Sequence, residues 1–294
     1  MRVAVIVASM RRSREMGQLL HHLGVQSKKP DIIVLSVTCY EDLPPDLPKD
    51  ILVIIGSPGS CVQRNRGIDA VATLCDVVVF FDDDFIPCQT ALADIAALFD
   101  KERRIVGITG LVLRDGARGR EVSYDDALGI LATYAPPAPN MIKTWPRYGL
   151  YGCNMAFRTS VIGDVRFDEN LVRYGWQEDI DFAARLRTHG HLVKTNAFAG
   201  VHLGVSKARS SGIMLGYSQM VNPVYLVRKG TMPAPMAAKL MLKNFVSNHV
   251  KAIRPEPLID RRGRAKGNWR GILDILCGRA SPRRILHFTG AGRS

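Results

Sequence analysis

The chain has 294 residues, 47% of them hydrophobic and 7% aromatic, and its formal net charge is +13. This composition is typical of a globular protein and excludes a disordered one. No apolar run reaches the roughly 18 residues of a membrane-spanning helix. Residues 1–205 contain 23 Lys and Arg against 24 Asp and Glu, whereas residues 206–294 contain 17 against 3. This uneven charge predicts a domain boundary near residue 205.

Neither the cysteines nor the N-terminus indicates secretion. The six cysteines include no CxxC pair and no zinc-like spacing, which favours a reducing compartment. The segment MRVAVIVASM has a short apolar run without a small-residue cleavage site, so it predicts a strand rather than a signal peptide. We therefore expect a cytoplasmic protein.

Apolar, strand-like segments alternate with helix-like segments at the start of the chain. The sequence predicts strands over 3–9, 32–37, 51–57 and 77–81 and a helix over 61–75. Continuous apolar runs separated by helices are typical of a parallel sheet covered on both faces. The predicted fold class is therefore α/β, with ligands beyond the carboxyl ends of the strands.

The pattern is weaker in the second half. Residues 114–147 contain RDGARGR and APPAPN and predict mostly loop. Regular patterning returns at 148–158, and residues 177–190 predict a helix that ends at Gly190.

Three consecutive aspartates follow the apolar run of the fourth predicted strand. Alternate residues of an extended segment face the same way, so Asp82 and Asp84 converge while Asp83 faces away. Two carboxylates about 4 Å apart repel by roughly 4 kcal/mol at an effective dielectric near 20. A hard cation such as Mg²⁺ or Mn²⁺, shared with substrate phosphates, would relieve this repulsion. The alternative is a solvated acidic turn in which one aspartate caps a helix.

A second acidic pair, Glu178 and Asp179, opens the predicted helix over 177–190. Acidic residues are common in a first helical turn because the helix dipole favours them, so the pair needs no chemical role. The functional alternative is a general base, since a carboxylate near a pocket can accept the proton of an attacking hydroxyl.

The motifs and their order resemble family 2 glycosyltransferases, which are inverting enzymes with the GT-A fold. QRNRGIDAV and DVVVFFDDD are similar to the family's Arg-Asn-x-Gly segment and its DxD-type motif. The later motifs are GCNMAFR (152–158), FDE (167–169), QEDIDFAARLRTHG (177–190) and VHL (201–203). The resemblance covers about residues 2–205.

The resemblance implies a metal and nucleotide site at the three aspartates. Asp82 would bind the ribose or the metal, Asp84 would ligate the metal directly, and Asp83 would support the turn or the ribose. His202 would be a further metal ligand or a contact to the diphosphate, and its imidazole suits Mn²⁺ better than Mg²⁺. A hydrogen-bonded core histidine is the alternative interpretation of His202.

The resemblance also assigns residues to the acceptor and to the nucleotide. Asp179 would deprotonate the acceptor hydroxyl, with Glu178 as its orienting neighbour. Arg64 and Asn65 would line the nucleotide site, and solvated positions on a helix face are an equal alternative. Many family members end the second strand with an aspartate that binds the nucleobase. Here the nearest acid is Asp42, which is assigned to that role.

Two basic segments are further candidates for the diphosphate. Arg11 and Arg12 follow the first predicted strand and could approach the pyrophosphate. The segment SKARSSG, residues 206–212, predicts a loop over the diphosphate.

Residues 236–253 predict a basic amphipathic helix. Its apolar stripe consists of Leu242, Phe245, Val246, His249, Val250 and Ile253. Lysines occupy the other side, and RRGRAKGNWRG (261–271) adds further cations. Such a helix either lies in the interface of an anionic membrane or packs against the catalytic domain. Nucleic acid is disfavoured because the sequence has no recognisable reading module and no interleaved stacking aromatics.

The predicted organisation is a GT-A catalytic domain over 1–205 and a basic, mostly helical region over 206–294. The nucleotide-binding half spans about 1–113 and the acceptor half about 114–205. Residues 236–284 are the candidate surface for an anionic membrane, at the inner face of which the protein would be peripheral.

The resemblance implies a metal-dependent inverting glycosyltransferase with Mn²⁺ or Mg²⁺ as cofactor. It would move a sugar from a UDP- or GDP-type donor to a carbohydrate or lipid-linked hydroxyl, in cell-surface polysaccharide or glycolipid synthesis. A nucleotidyltransferase of related fold and a non-catalytic basic protein that binds membrane or nucleic acid are the alternatives. The enzyme hypothesis requires that Asp84 and Asp179 line one cleft.

Overall fold

The computed structural model of the chain describes residues 1–205, 211–256 and 259–288. These residues form a nine-stranded sheet. The strands are β1 Val3–Ala8, β2 Ile32–Val37, β3 Leu52–Ile55, β4 Val77–Phe81, β5 Phe85–Pro87, β6 Ile105–Asp115, β7 Thr144–Pro146, β8 Asn154–Arg158 and β9 His191–His202. The four strands predicted in the first part of the chain are confirmed.

The same residues contain nine α-helices. They are α1 Ser13–Gly24, α2 Ser60–Val71, α3 Ala91–Lys101, α4 Tyr124–Thr133, α5 Thr159–Ile162, α6 Glu178–Leu186, α7 Gly212–Lys229, α8 Ala234–Ile253 and α9 Arg261–Leu276. Among the described residues, none of these helices combines the length and the apolar composition that crossing a membrane requires.

The sheet is mixed and mostly parallel. Its order is β3-β2-β1-β4-β8-β6-β9-β5, and β7 pairs with β9. Strands β3, β2, β1 and β4 are mutually parallel, β8 is antiparallel to both of its neighbours, and β6 is parallel to β9. The carboxyl ends of β1, β2, β4, β6 and β9 therefore meet at one edge, where ligands are expected.

Each face of the sheet packs against its own hydrophobic layer. Val5 and Val79 belong to the layer that contains α1 and α3, whereas Ile6 and Phe80 belong to the layer that contains α2 and α6. Alternate residues of β1 and β4 thus point into different layers. Burial on both sides explains why these strands are continuous apolar runs.

The prediction of mostly loop over 114–147 is wrong for α4. Ser123 caps this helix, because its side-chain oxygen accepts a hydrogen bond from the Asp126 amide. Ala127, on the inner side, packs in a small cluster with Val201. The prolines and glycines on either side of the helix obscured a short apolar pattern.

The C-terminal region is helical, as predicted, and it contacts the sheet layers directly. Leu226, Met232 and Ala237 are buried in the layer that contains α2 and α6. Helices α7 and α9 pack backbone against backbone, since a Cβ on Gly267 would lie 2.2 Å from the Ile213 carbonyl oxygen. The domain boundary near residue 205 stays a prediction.

One buried carboxylate joins α6 to this region. Asp181 is fully buried, and its two oxygens accept hydrogen bonds from the Thr231 hydroxyl at 2.7 Å and from Lys229 Nζ at 2.9 Å. Arg185 approaches the same carboxylate to 3.1 Å. Lys229 also contacts Asp168, so one ammonium group connects Asp168 and Asp181 to the end of α7.

Candidate active site

Strand pairing brings the first acidic cluster together. Asp82 and Asp84 follow β4 directly, and the next residue, Phe85, pairs with His202 at the end of β9. The register of β6 and β9 places Asp115 opposite His202. Residues that are far apart in sequence therefore meet at the edge of the sheet where ligands are expected.

Asp82, Asp84 and His202 form a group that could hold a metal ion. One ligand atom from each lies within 4.8 Å of the other two. His202 Nε2 is 3.3 Å from Asp84 Oδ1 and 3.9 Å from Asp82 Oδ2. Asp84 Oδ1 is buried, and apart from this ionic contact with His202 it receives no hydrogen bond of good geometry from the described residues, so the group fits a cation that would complete its coordination.

Asp115 orients His202 and is a residue that the sequence analysis missed. Its Oδ1 lies 3.0 Å from His202 Nδ1, and its Oδ2 accepts a hydrogen bond from the Tyr151 hydroxyl at 2.9 Å. This contact fixes the ring so that Nε2 faces the two aspartates. Burial opposes a charge on His202, but Asp115 and Asp84 more than offset it and raise its pKa to about 10. The carboxylates that raise this pKa are also the groups that a metal ion would share with the neutral imidazole, because a ligating histidine nitrogen carries no proton.

Asp83 points away from this group, as the strand pattern predicted. It accepts hydrogen bonds from the Ser9 hydroxyl at 2.5 Å and from the Arg12 guanidinium at 2.8 Å. Burial raises the pKa of Asp83 to about 7, although Arg12 opposes this shift. Arg12 also lies 3.2 Å from Asp84 Oδ2. Burial works against ionisation of Asp84 as well, but contacts with His202 and Arg12 hold its pKa at about 2.

The second acidic cluster begins α6. Gln177, which precedes it, has φ 76°, a left-handed conformation that is uncommon for a residue with a side chain. Asp179 accepts hydrogen bonds from the Gly152 amide at 2.9 Å and from the Ile180 amide at 2.8 Å. Burial raises the pKa of Asp179. This makes Asp179 a stronger base than an exposed aspartate.

Arg64 connects the two acidic clusters. Its Nη1 contacts Glu178, while its Nη2 lies 2.9 Å from Asp82 Oδ1 and donates to the Gly152 carbonyl at 3.2 Å. Burial opposes the charge on Arg64, but Glu178 and Asp82 outweigh it, so the Arg64 pKa is raised. For Glu178, burial is the dominant cause, and it raises the pKa of this carboxyl to about 8 although the nearby Arg64 lowers it. Gly152 thus contacts Arg64 with its carbonyl and Asp179 with its amide.

Asn65 is turned away from this group. Its amide donates to the Phe167 carbonyl and to Glu169, and its oxygen accepts from the Phe167 amide at 2.7 Å. The side chain thereby fastens α2 to the FDE segment. Its assignment to the nucleotide stays a prediction.

An open pocket of about 590 Å³ lies beside the ends of β1 and β2. Its walls consist of Arg11, Ser13, Arg14, Glu15, Cys39, Glu41 and Asp42. Asp42 is only 1% exposed, and its oxygens accept hydrogen bonds from Thr38, Cys39 and the Arg11 amide. The carboxylate therefore holds the pocket wall together, and its contact with a nucleobase stays a prediction. Residues 206–210 of the predicted diphosphate loop lie outside the described residues.

No protein-family model matches the chain, and no curated protein sequence matches it. Solved structures do resemble it. The mannosyltransferase PcManGT from Pyrobaculum calidifontis, in complex with GDP-Man and Mn²⁺, superimposes with a TM-score of 0.55 at 15% identity, over 98% of this chain and 79% of that one. S. aureus TarS 1-349 in complex with UDP-GlcNAc gives a TM-score of 0.53 at 14% identity, over 95% and 93%.

The longer S. aureus TarS chain gives a TM-score of 0.50 at 14% identity, and 97% of this chain corresponds to 55% of it. The chain thus spans about half the length of that TarS structure. At such low identity the likeness is one of fold. The predicted GT-A fold, a mostly parallel sheet flanked by helices with a helical C-terminal region, is confirmed.

Proposed function

We propose that the protein is a metal-dependent, inverting glycosyltransferase of family 2 that moves a sugar from a nucleoside-diphosphate sugar to a hydroxyl acceptor. The observation that supports this function best is the position of Arg64 between Asp82 and Glu178. One guanidinium spans a cation-binding group and a carboxylate pair that contains a base. Such a displacement needs one site for the leaving group and another for the nucleophile.

The leaving-group side consists of Asp82, Asp84 and His202. These residues would hold Mn²⁺ or Mg²⁺, which neutralises charge that develops on the departing diphosphate. Asp115 keeps the His202 ring in place through Nδ1. Arg12 holds Asp83 and Asp84 in position through contacts of 2.8 and 3.2 Å.

The nucleophile side consists of Asp179 and Glu178. Asp179 takes the proton of the acceptor hydroxyl as that oxygen attacks the anomeric carbon from the face opposite the diphosphate. A single displacement inverts the anomeric configuration. The Gly152 and Ile180 amides orient the carboxylate, and Glu178 keeps Arg64 directed towards Asp82.

The donor class is inferred from the structural neighbours, and the acceptor class is proposed from the resemblance of the motifs. Because one neighbour binds GDP-Man and another binds UDP-GlcNAc, we infer a GDP- or UDP-type donor. The pocket beside Arg11 and Asp42 is a candidate nucleoside site. A carbohydrate or lipid-linked acceptor fits a role in cell-surface polysaccharide or glycolipid synthesis on the cytoplasmic side.

The function is tested by ligand-induced stabilisation of the full-length chain. We expect UDP- or GDP-sugars to raise the melting temperature in the presence of Mn²⁺, because a ligand that binds only the native state stabilises it by mass action. The effect should be absent when Mn²⁺ is replaced by EDTA. If no nucleoside-diphosphate sugar stabilises the protein with Mn²⁺, the proposal is wrong.

Asp179→Asn separates catalysis from donor binding. It should lower transfer by about 10²–10⁴-fold and leave the donor-induced stabilisation unchanged. Asp125→Asn, an equivalent change at an exposed position of α4, is the matched control and should leave both unchanged. Full transfer by Asp179→Asn would exclude this residue as the base. Release of pyrophosphate from a nucleoside triphosphate and a sugar 1-phosphate by the wild-type chain, without transfer from a nucleoside-diphosphate sugar, would favour a nucleotidyltransferase.

A further inference from the structure

The apolar stripe predicted on α8 lies on the surface. Leu242, Val246, Val250 and Ile253 are between 49% and 78% exposed. The opposite side of the helix faces the protein, where Asn248 is buried and hydrogen-bonded to Gln219. The interpretation that this stripe packs against the catalytic domain is therefore wrong for these four residues.

Helix α9 adds a second apolar ridge to the same surface. Trp269, Leu273 and Leu276 are 52%, 57% and 77% exposed. The Trp269 ring contacts Phe245 and His249 of α8, with ring centroids 5.2 and 5.9 Å apart. These aromatic contacts join the ridges into one surface, the α8–α9 face, defined by the exposed apolar residues of both helices.

Exposed cations accompany this face. They are Arg262, Lys266 and Arg270 on α9 and Lys239 and Lys243 on α8. The sequence pattern placed these two lysines on the side of α8 opposite the apolar stripe, but both are exposed and so do not face the protein. Acidic residues do not neutralise them, because each of the three acids within 211–256 and 259–288 has another partner. Glu256 binds Lys251 and Arg261, Asp260 caps α9 through the Gly263 amide, and Asp274 accepts from Tyr217 and pairs with Arg284.

We propose that the α8–α9 face binds the interfacial region of an anionic lipid bilayer. Exposed aliphatic side chains next to uncompensated cations are complementary to a bilayer whose acyl chains are apolar and whose headgroups are negative. Aliphatic ridges contribute nothing to contact with nucleic-acid phosphates. In a second copy of this chain, the cations of the two faces would repel each other. Both helices would lie along the membrane plane, with Leu242 and Leu276 inserted among the acyl chains.

Vesicle flotation of the full-length chain tests this proposal without any nucleotide, so its outcome is independent of the glycosyltransferase function. We expect binding to phosphatidylcholine vesicles that contain phosphatidylglycerol, weaker binding at high salt, and little binding to pure phosphatidylcholine. Lys239→Gln with Lys243→Gln should weaken binding about 25-fold, since each cation contributes about fivefold. Lys101→Gln, at an exposed end of α3, is the matched control and should leave binding unchanged.

Apolar variants distinguish insertion from adsorption. Leu242→Ser with Leu276→Ser should weaken binding at least tenfold, whereas Leu74→Ser, also exposed but far from the face in sequence, should have no effect. Circular dichroism would show that each variant remains folded. Binding that depends on charge but not on Leu242 and Leu276 would overturn the proposal in favour of a polyanion such as nucleic acid. Concentration-dependent dimers that these serines abolish, without vesicle binding, would overturn it in favour of self-association.

Trp269 provides a direct measure of insertion. The chain has three tryptophans, and the fluorescence of Trp269 should shift to shorter wavelength when anionic vesicles are added. The shift should disappear in Trp269→Phe, a variant that keeps an apolar ring at the position. An unchanged spectrum of the wild-type chain on bound vesicles would contradict insertion of this face.

Discussion

The two acidic clusters and the α8–α9 face differ in how their charged groups are paired. In the acidic clusters, opposite charges are in direct contact, with Arg64 between Asp82 and Glu178 and with Arg12 beside Asp83. On the α8–α9 face, Lys239, Lys243 and Lys266 are exposed beside apolar side chains and have no acidic partner within the described residues. Charged groups in contact with one another have fixed positions. The lysines of the α8–α9 face remain available to a negatively charged partner.

The comparison predicts its largest effect at Arg64. Arg64→Met removes the buried guanidinium that contacts both Asp82 and Glu178, and we expect a loss of about 3–5 kcal/mol in the free energy of unfolding, measured by urea denaturation. Arg66→Met on the same helix is the control, because Arg66 makes one hydrogen bond of 3.3 Å to Ser36. That variant should lose no more than about 1.5 kcal/mol. Equal losses in both variants would show that the contacts of Arg64 with Asp82 and Glu178 stabilise the fold no more than the single hydrogen bond of Arg66.

A smaller effect is expected at Asp115, which contacts His202 but does not belong to the group that could hold a metal ion. Asp115→Asn removes the charge that orients His202, and it should weaken Mn²⁺ binding about 10–100-fold, measured by electron paramagnetic resonance of free Mn²⁺. Asp126→Asn, at an exposed position of α4, should leave Mn²⁺ affinity unchanged. Unaltered affinity in Asp115→Asn would mean that His202 needs no support from this carboxylate.

The packing of α7 against α9 should depend on the size of the side chain at their contact rather than on charge. Gly267→Ala places a Cβ against the Ile213 carbonyl, and we expect a loss of about 1–3 kcal/mol in the free energy of unfolding. Gly129→Ala in α4 has open space around the new methyl group and should stabilise the protein by about 0.5–1 kcal/mol. A neutral Gly267→Ala would show that α7 and α9 can move apart without cost.

The smallest effect on stability is expected for a cation of the α8–α9 face. Lys243→Gln should change the free energy of unfolding by no more than about 0.5 kcal/mol, because this exposed ammonium group has no acidic partner among the described residues. Thermal and urea denaturation would measure the change. A loss close to that of Arg64→Met would contradict the distinction between the two regions.

The sequence predicted the sheet and the position of the three aspartates at its carboxyl edge, because both are encoded locally. Strands buried on both faces are continuous apolar runs, and the three aspartates follow one of them directly. Asp115 could not be found in this way, because strand register brings it to His202 across 87 positions of sequence. A polar residue at the end of a long apolar strand, at the same edge as the aspartates, was the available signal.

Amphipathic periodicity also left one question open. The apolar stripe on α8 is compatible both with packing against the rest of the protein and with lying on the surface, because the sequence pattern indicates only that one side of the helix is apolar. The structure distinguishes them through Val250 and Ile253, which are 62% and 78% exposed. The bridging role of Arg64 was hidden for a similar reason, because its two carboxylate partners are separated from it by 18 and 114 positions.

The contacts of Asp181 have a consequence for attempts to isolate residues 1–205 as a fragment. A fragment that stops where the charge changes, near residue 205, would lose Lys229 and Thr231, so that of these three partners Asp181 would keep Arg185 alone. The loss would be felt on α6, two residues after Asp179. We therefore expect the fragment to need the last three α-helices, supplied in trans as in a split protein, before it reaches the stability of the full chain.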